Sequence, residues 1–425
     1  MRTNNYEVYV LGSSRVPFVK SQTTYSNTKR KELMVAALNG LVERYKLTGV
    51  LIDDTALGAV MNGSADFNLA REAILSTAVH PDSPGVNVQR ACGTGLEAAW
   101  LIAMKAHTGS IDLGIAGGVD TNSDLPIEVS DELQKILLGA NKAKTFGEKF
   151  GVFKDLRISH FKPKAPSVDE PRTHLSMGDH TELMVKEWKI PRQAQDELAL
   201  RSHQRSAKAY DEGFFDDLVV PFLDLKRDGI LRADTTIEKL AKLKPAYDKV
   251  NGTLTAGNST ALTDGAASVL IANSVGASRI GAKPLAKFVD FQTAAVDFPK
   301  GAGLLMAPTK AVAQLLNRNK LTFQDFDFFE IHEAFAGQVL CNLKAWESAE
   351  YCKNVLGLQS PLGAIDVSKL NVVGSSLAQG HPFAATGARI VGVLAKLLSR
   401  SGKKRGLISI CTAGGMGVAA IMESV

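Results

Sequence analysis

The 425-residue sequence predicts an α/β protein. The first observation is that strand-like and helix-like segments alternate: "YEVYVLGSS" is followed by "KRKELMVAALNGLVERYK", which has apolar residues at helical spacing, and later by the apolar strands "DTALGAVMNGS" and "DLGIAGGVD". Such alternation is typical of a largely parallel sheet covered by helices. The second observation is the composition, 45% hydrophobic and 22% charged, which is that of a folded globular chain.

The third observation is a weak internal repeat. The segments "VAALNGLVERYKLTGVLIDDTALGAVMNG" and "AVAQLLNRNKLTFQDFDFFEIHEAF" share one plan: a helix, Lys-Leu-Thr, acidic residues, and an apolar strand ending in a polar residue. Likewise, the helix after Cys92 and the strand "DLGIAGGVD" resemble the helix after His381 and "RGLISICTAGGMG". We therefore expect two related halves.

The alternation fails between the two halves, over residues 122–250. This part is rich in Lys, Arg, Asp and Pro, and "PRQAQDELALRSHQRSAKAYDEG" carries the apolar stripe of a surface helix. The pattern favours an inserted, mainly helical loop domain over a linker. The predicted bounds are 1–121 with 251–284 for the first half, 122–250 for the insertion, and 285–425 for the second half.

Charge and cysteine content limit the function. The net charge of +5, with 49 basic and 44 acidic residues, suits a phosphate-bearing small ligand but is too balanced to indicate nucleic acid. The four cysteines have no framework spacing, which favours reduced thiols in a cytoplasmic protein. The N-terminus is typical of a first strand rather than a secretion signal, and no run of about 18 apolar residues predicts a membrane span.

Cys92 lies in "VNVQRACGTGLEAAWLIAMKAH", between a short strand and a helix. Free backbone N–H groups and the helix dipole at this corner would favour a thiolate. Gly93 and Gly95 would allow a sharp turn and leave room for a substrate. The alternative, which this segment leaves open, is a buried cysteine that serves only as a small hydrophobic residue.

Three further positions could carry chemistry. His381, in "SSLAQGHPFAATGARI", precedes Pro382, which fits a first helical position; a purely structural histidine is the alternative. Cys411 ends an apolar strand in "GLISICTAGGMGVAAIM", and the glycine-rich turn after it either stabilises an oxyanion or serves close packing. His332 ends a strand in "FFEIHEAFAG".

A metal site is the competing interpretation of these thiols and imidazoles. The zinc-protease motif H-E-x-x-H is excluded because Ala336 occupies the position of its second histidine. A zinc site of two cysteines and two histidines is conceivable, but no pair has the usual ligand spacing. We therefore predict no metal.

Six motifs, in order along nearly the whole chain, resemble those of the thiolases: "RACGTGLEA", "HLSMGDHTE", "TAGNSTALTDGAA", "HEAFAG", "GHPFAATGAR" and "CTAGGMG". The resemblance implies a thiolase fold of two similar βαβαβαββ halves, which form a five-layered αβαβα core with a loop domain inserted in the first half. It also implies an acyltransferase that cleaves 3-ketoacyl-CoA with CoA, or runs the reverse Claisen condensation.

The resemblance assigns roles to the candidate residues. Cys92 would be the nucleophile that becomes acylated, and Cys411 would be the acid/base for the acetyl-CoA enolate. His381 would act as a base and, with a water held by His332, stabilise one oxyanion. The backbone N–H groups of Cys92 and Ala413 would hold the other. Cys92 would need a lowered pKa, supplied by the helix terminus and His381.

Substrate contacts follow from the same motifs. The resemblance implies that Met177, Gly257 and Thr260 bind substrate. CoA is expected as a co-substrate, without a tightly bound cofactor, and the subunits are expected to form a homodimer or a dimer of dimers.

Two departures from the commonest thiolase pattern are His332, where asparagine is common, and Ala413, where glycine is common. Histidine here, which we expect to titrate near neutrality, resembles the thiolase (β) subunits of fatty-acid oxidation complexes. So does the basic stretch 133–168, which has eight Lys/Arg against Glu148 and Asp155. A hydratase/dehydrogenase (α) subunit or a membrane surface is the implied partner of this stretch. A solvated basic face or a CoA phosphate site is the alternative.

The function favoured by the sequence is the last step of fatty-acid β-oxidation on medium and long chains. The alternatives are a short-chain acetoacetyl-CoA thiolase, a ketoacyl synthase that uses Cys92, His332 and His381, and a thiolase-like lipid-binding protein without catalysis. Cys411 argues against the synthase, since decarboxylation forms an enolate without removing a proton from acetyl-CoA.

Overall fold

The computed structural model describes residues 5–425. The predicted absence of a secretion signal rests partly on residues 1–4, which lie outside this range. The described strands are β1 (Val8–Arg15), β2 (Val19–Lys20), β3 (Asp54–Gly58), β4 (Val86–Asn87), β5 (Leu113–Asp120), β6 (Thr263–Ala272), β7 (Ala286–Ala295), β8 (Phe328–Ile331), β9 (Arg405–Thr412) and β10 (Met416–Glu423).

The helices of the described range are α1 (Arg30–Arg44), α2 (Leu69–Leu75), α3 (Thr94–His107), α4 (Asp131–Lys142), α5 (Phe146–Val152), α6 (Met177–Glu187), α7 (Arg192–Asp211), α8 (Ile237–Ala241), α9 (Ser274–Arg279), α10 (Ala307–Asn319), α11 (Ala336–Glu347), α12 (Ala349–Asn354), α13 (Ser376–Gln379) and α14 (Ala385–Ser401). Within residues 5–425, none of them is long and apolar enough to cross a membrane.

The strands form one mixed sheet in the order β4-β3-β5-β6-β1-β7-β10-β9-β8, with β2 paired to β6. Parallel pairing is confined to β3 with β4 and β5, and to β8 with β9; the other named pairs are antiparallel. The prediction of a largely parallel sheet is therefore wrong. The reason is that β6 and β10 each run antiparallel to the strand that precedes them in the chain. In β10 this happens after a three-residue turn.

The internal repeat is visible in this strand order. The first half runs β4-β3-β5-β6-β1, and the second runs β8-β9-β10-β7, with Leu370 bridging to Phe329 in the place of a fifth strand. Helices α1 and α10 both stop at the Lys-Leu-Thr segment, where Lys46 and Lys320 adopt left-handed backbone with φ of 53° and 55°. A left-handed residue commonly ends a helix, so the shared tripeptide marks equivalent helix ends.

The layers follow from which faces are apolar. Helices α3 and α14 pack together between the two halves of the sheet, in a core where Trp100 stacks on Phe291 with ring centroids 5.2 Å apart. Helix α1 covers the outer face of the first half and α10 that of the second. The sequence of layers is therefore helix, sheet, helix, sheet, helix, which confirms the predicted fold.

Residues 122–250 carry helices α4 to α8, and none of the ten described strands lies among them. A buried ion pair attaches this segment to β1: Arg15 donates to both carboxylate oxygens of Asp228, at 2.6 and 2.8 Å, and Tyr210 also donates to Asp228. The bounds given for the insertion and for the two halves stay a prediction.

Candidate active site

Cys92 lies two residues before α3 and is half-buried. The turn that presents it is made by Ala91, whose φ of 43° is in the left-handed region. Thr94 closes the turn, because its hydroxyl accepts from the N–H of Arg90 (2.8 Å) and donates to the carbonyl of Ala91 (2.7 Å). The prediction that these glycines make the sharp turn is therefore wrong, because Gly93 has ordinary helical backbone, with φ of −82°. Room for a substrate beside them stays a prediction.

Gly95 instead brings two helices together. A Cβ placed there would lie 2.6 Å from the carbonyl oxygen of Ala384 and from the amide nitrogen of Ala388, both in or next to α14. A Cβ on Gly387 would likewise lie 2.2 Å from the amide nitrogen of Leu96. Only glycine permits this approach, and it places the N-terminal ends of α3 and α14, with the turns before them, side by side.

His381 lies in the turn before α14, and it is nearly buried. The prediction that Pro382 occupies the first helical position is wrong, because α14 begins three residues later. The N–H of His381 donates to the hydroxyl of Thr263 (2.9 Å), and its Nδ1 lies 2.6 Å from the hydroxyl of Thr386. Burial, with the nearby Arg389 cation, lowers the pKa of His381 to about 3. The imidazole is therefore neutral.

His332 directly follows β8 and is fully buried. Its ring centroid is 4.1 Å from that of His381, and its Nδ1 is 2.7 Å from the hydroxyl of Ser376. Burial, then the neighbouring His381 and Arg389, hold the pKa of His332 well below its usual range. The expectation that His332 titrates near neutrality is therefore wrong, because desolvation disfavours the charged ring.

Cys411 is the penultimate residue of β9 and is buried close to Cys92. Burial and, next, the neighbouring Cys92 sulfur raise the pKa of Cys411 well above its usual value. Burial also raises the pKa of Cys92 to about 12, although the N–H groups of Ala413 and Cys92 itself point at the sulfur and oppose the shift. The expected depression of the Cys92 pKa is wrong, because the helix end does not offset desolvation.

The predicted substrate-binding residues have different surroundings. Met177 begins α6 and packs on the apolar group that contains Cys411. Thr260 donates its N–H and hydroxyl to the carbonyl of Ala334, at 3.0 and 3.1 Å, beside the motif of His332. Gly257 packs on one side chain of α8 and on another just after that helix. Substrate binding by these three residues stays a prediction.

Several polar residues of the site were missed from the sequence. Asp120, which ends β5, accepts from the N–H groups of Met61 (2.9 Å) and Ala384 (2.8 Å) and so fixes the turn after His381. Glu170 accepts from the N–H of Gly414 at 2.6 Å and holds the turn that contains Ala413. The available signal for Asp120 was a carboxylate at the end of an apolar strand; Glu170 had none.

The geometry of the site does not support the zinc interpretation. Within residues 5–425, no three or more His, Cys, Asp or Glu side chains are grouped so that they could hold a metal ion.

The two halves of the duplicated α/β fold each contribute one thiol to this cluster, and the class to which the enzyme belongs is that of the acyltransferases. The chain is a member of the thiolase family: residues 8–274 match the family model "Thiolase, N-terminal domain" and residues 282–424 match "Thiolase, C-terminal domain". These matches confirm the family that the six motifs indicated.

Individual relatives agree with the family assignment. The chain is 39% identical over 422 residues to the 3-ketoacyl-CoA thiolase of Yersinia pestis (strain Pestoides F), which covers 98% of this chain and 96% of that protein. It has the same identity and coverage with the 3-ketoacyl-CoA thiolase of Yersinia pseudotuberculosis serotype O:1b (strain IP 31758). The crystal structure of the Bacillus anthracis acetyl-CoA acetyltransferase is similar over 100% of both chains, with a TM-score of 0.82 and 30% identity.

Proposed function

We propose that this enzyme cleaves 3-ketoacyl-CoA with CoA, giving acetyl-CoA and an acyl-CoA shortened by two carbons, through an acyl thioester on Cys92. The observation that carries the proposal is the meeting of two thiols, Cys92 and Cys411, one from each half of the chain. The names of the similar Yersinia proteins support the same substrate class.

In the first half-reaction, the sulfur of Cys92 attacks the 3-keto carbon and its proton passes to His381. The resting protonation states support this step: Cys92 is a thiol, and neutral His381 can accept a proton. The tetrahedral intermediate then collapses, and the bond between C2 and C3 breaks. Its electron pair forms the acetyl-CoA enolate, which takes the proton of Cys411. The high pKa of Cys411 keeps that proton in place until the enolate forms.

In the second half-reaction, CoA attacks the acyl group on Cys92. The thiol proton of CoA passes to the Cys411 thiolate, and the released Cys92 sulfur regains its proton from His381. Each residue returns to its resting state, so the cycle balances. Coenzyme A is a co-substrate in this scheme, and the chain's own residues supply the remaining chemistry.

Two groups of donors support the developing oxyanions. The N–H groups of Cys92 and Ala413 already point at the sulfur to which the acyl group would be bound. Preorganised backbone donors of this kind stabilise a tetrahedral intermediate without reorganisation. His381 and His332, with their rings in contact, provide the second group.

The first test is the covalent intermediate. Mass spectrometry of the wild-type enzyme incubated with a 3-ketoacyl-CoA should show acylation at Cys92. Cys92→Ala should abolish turnover but leave folding intact, because the nucleophile is removed. Cys352→Ala is the matched control, since this buried thiol donates to the carbonyls of Ala345 and Trp346. An acyl adduct on Cys341 or Cys352 would contradict the proposal.

The second test concerns the substrate. We propose medium and long chains in β-oxidation, and thiolysis rates along a 3-ketoacyl-CoA series will separate this from the short-chain alternative, which requires acetoacetyl-CoA as the best substrate. A malonyl thioester tests the ketoacyl synthase alternative. This alternative still has to be tested because the rings of His332 and His381 are in contact. Decarboxylation of malonyl thioester without thiolysis would assign the chain to that class instead.

A partner surface is also proposed, on residues 127–168. Several apolar side chains of this surface are exposed to solvent: Ile158 is 92% exposed, Phe146 86% and Phe150 74%. They lie among the eight basic residues of 133–168. Aromatic and basic side chains together favour an anionic membrane surface, where the rings enter the interface and the cations meet lipid headgroups. A solvated basic face would not need the exposed phenylalanines.

Vesicle sedimentation tests this surface. The enzyme should bind vesicles that contain phosphatidylserine more tightly than pure phosphatidylcholine, and added salt should weaken binding. Phe146→Ser with Phe150→Ser should reduce binding, whereas Phe67→Ser, at a residue 91% exposed elsewhere, should not. Equal binding by all variants would contradict the proposal, and capture of a hydratase/dehydrogenase subunit instead would assign the surface to that protein. A homodimer or dimer of dimers, and a cytoplasmic location, stay predictions.

A further inference from the structure

A chain of three buried polar side chains leads from α14 into the site. One guanidinium nitrogen of Arg389 donates to the hydroxyl of Ser376 at 2.7 Å. The same hydroxyl lies 2.7 Å from Nδ1 of His332. All three residues are buried, with Arg389 only 2% exposed. The arrangement joins a fixed cation to the imidazole through a single hydroxyl.

The chemistry of the guanidinium fixes the direction of the first of these hydrogen bonds. A guanidinium has donors only, so the oxygen of Ser376 must accept from Arg389. The hydroxyl proton of Ser376 is then free to point at the other neighbour, Nδ1 of His332. If Nδ1 accepts this proton, the neutral ring carries its own proton on Nε2.

The Nε2 atom of His332 is the second observation. It is buried, and among residues 5–425 it has no hydrogen-bond partner. A buried donor without a partner costs about 1–3 kcal/mol. The ring to which it belongs contacts His381, so a reactant oxygen or a water molecule in the site can supply the missing acceptor.

We propose that Ser376, held as a donor by Arg389, is a positioning residue that fixes His332 in the Nε2–H tautomer, so that this N–H donates to the oxygen that becomes negative in the reaction or to the water that binds it. The inference rests on the proposed function, since it specifies how one oxyanion donor of that reaction is oriented. The other tautomer would present a lone pair to the same oxygen and would repel it.

Kinetics of two neighbouring serines test this role. Ser376→Ala removes the hydroxyl between Arg389 and His332. The matched control is Ser375→Ala, because Ser375 accepts from the other guanidinium nitrogen at 3.1 Å and has no bond to His332. We expect Ser376→Ala to lower kcat by about tenfold with KM little changed, less than the roughly 10²-fold typical for loss of a whole oxyanion donor. The control should stay within about twofold of wild type. Equal losses in both variants would overturn the proposal.

A double-mutant cycle separates positioning from general damage to the fold. The amide of His332→Asn donates without choosing a tautomer, so Ser376→Ala should cost little in that background. Losses that multiply across the cycle would show a structural role and overturn the proposal. Where Ser376→Ala does not fold, Ser376→Cys replaces it, because a thiol of similar shape is a weak donor.

Nitrogen chemical shifts of the His332 ring give a readout that does not depend on turnover. With ¹⁵N-labelled histidine, the wild type should show protonated Nε2 and unprotonated Nδ1, and Ser376→Ala should show a mixture of tautomers. A wild-type ring protonated on Nδ1 would overturn the proposal. Failure of the proposed function is a separate result, since it would appear as no acylation of Cys92.

Discussion

Replacing Gly95 by alanine tests whether the contact between α3 and α14 places the two reactive turns. The added Cβ would lie 2.6 Å from backbone atoms of Ala384 and Ala388, about 0.8 Å short of ordinary van der Waals contact at 3.4 Å. Backbone atoms cannot rotate away as a side chain does, so the helices must separate. Cys92 and His381, which lie just before these helices, would move apart with them.

The magnitude follows from two opposing effects. Overpacking of a core costs about 1–3 kcal/mol, and the better helix propensity of alanine returns roughly 1 kcal/mol. We therefore expect a net loss in the free energy of unfolding of about 0–2 kcal/mol. The effect on catalysis should be larger, because a displacement of about 1 Å at reacting groups costs roughly 10²-fold in rate. We expect kcat for thiolysis to fall by roughly 10- to 100-fold.

The assay measures kcat, KM and the urea midpoint of unfolding for Gly95→Ala and for a control, Gly147→Ala. Gly147 lies in α5, and a Cβ there would meet nothing within 4 Å. The control should keep wild-type kcat and gain about 0.5–1 kcal/mol of stability. A Gly95→Ala enzyme with wild-type kcat and midpoint would refute the reasoning, because the helices would then tolerate the separation.

Three other residues give independent predictions. Cys411→Ser should still acylate Cys92 from a simple acyl-CoA but fail to exchange the α-hydrogens of acetyl-CoA with deuterium, since an alcohol is a much weaker acid; exchange at the wild-type rate would remove Cys411 from the acid/base role. His332→Asn should keep measurable activity and the wild-type pH profile of kcat/KM between pH 6 and 8, because the pKa of buried His332 lies well below that range; a lost inflection would show that the histidine titrates. The stability of Glu330→Gln relative to the wild type should increase as pH rises. Burial raises the pKa of Glu330 to about 8, above its value in the unfolded chain, so the folded state binds the proton more tightly and wild-type stability falls as pH rises toward 8. A urea midpoint difference between variant and wild type that is the same at pH 5 and pH 9 would contradict this.

Much of the fold could be predicted because it depends on local sequence patterns. The alternation of apolar strands and helices, and the Lys-Leu-Thr segments at Lys46 and Lys320, depend on residues close together in the chain. The motifs likewise identified the family and placed Cys92 and Cys411 at the ends of regular elements. The direction of most strand pairs was not predictable in this way, because, apart from β9 with β10, the paired strands are well separated in the sequence.

The sequence by itself determined the family and the two halves, and it predicted four reactive side chains. The tertiary structure decided which protons those side chains carry. A helix end predicts a lowered pKa for Cys92, but burial in the assembled core raises it. His332 is expected to titrate near neutrality until Arg389 and His381 surround it in a dry site. Desolvation and charge depend on everything within a few ångströms in space, and those neighbours belong to other segments of the chain.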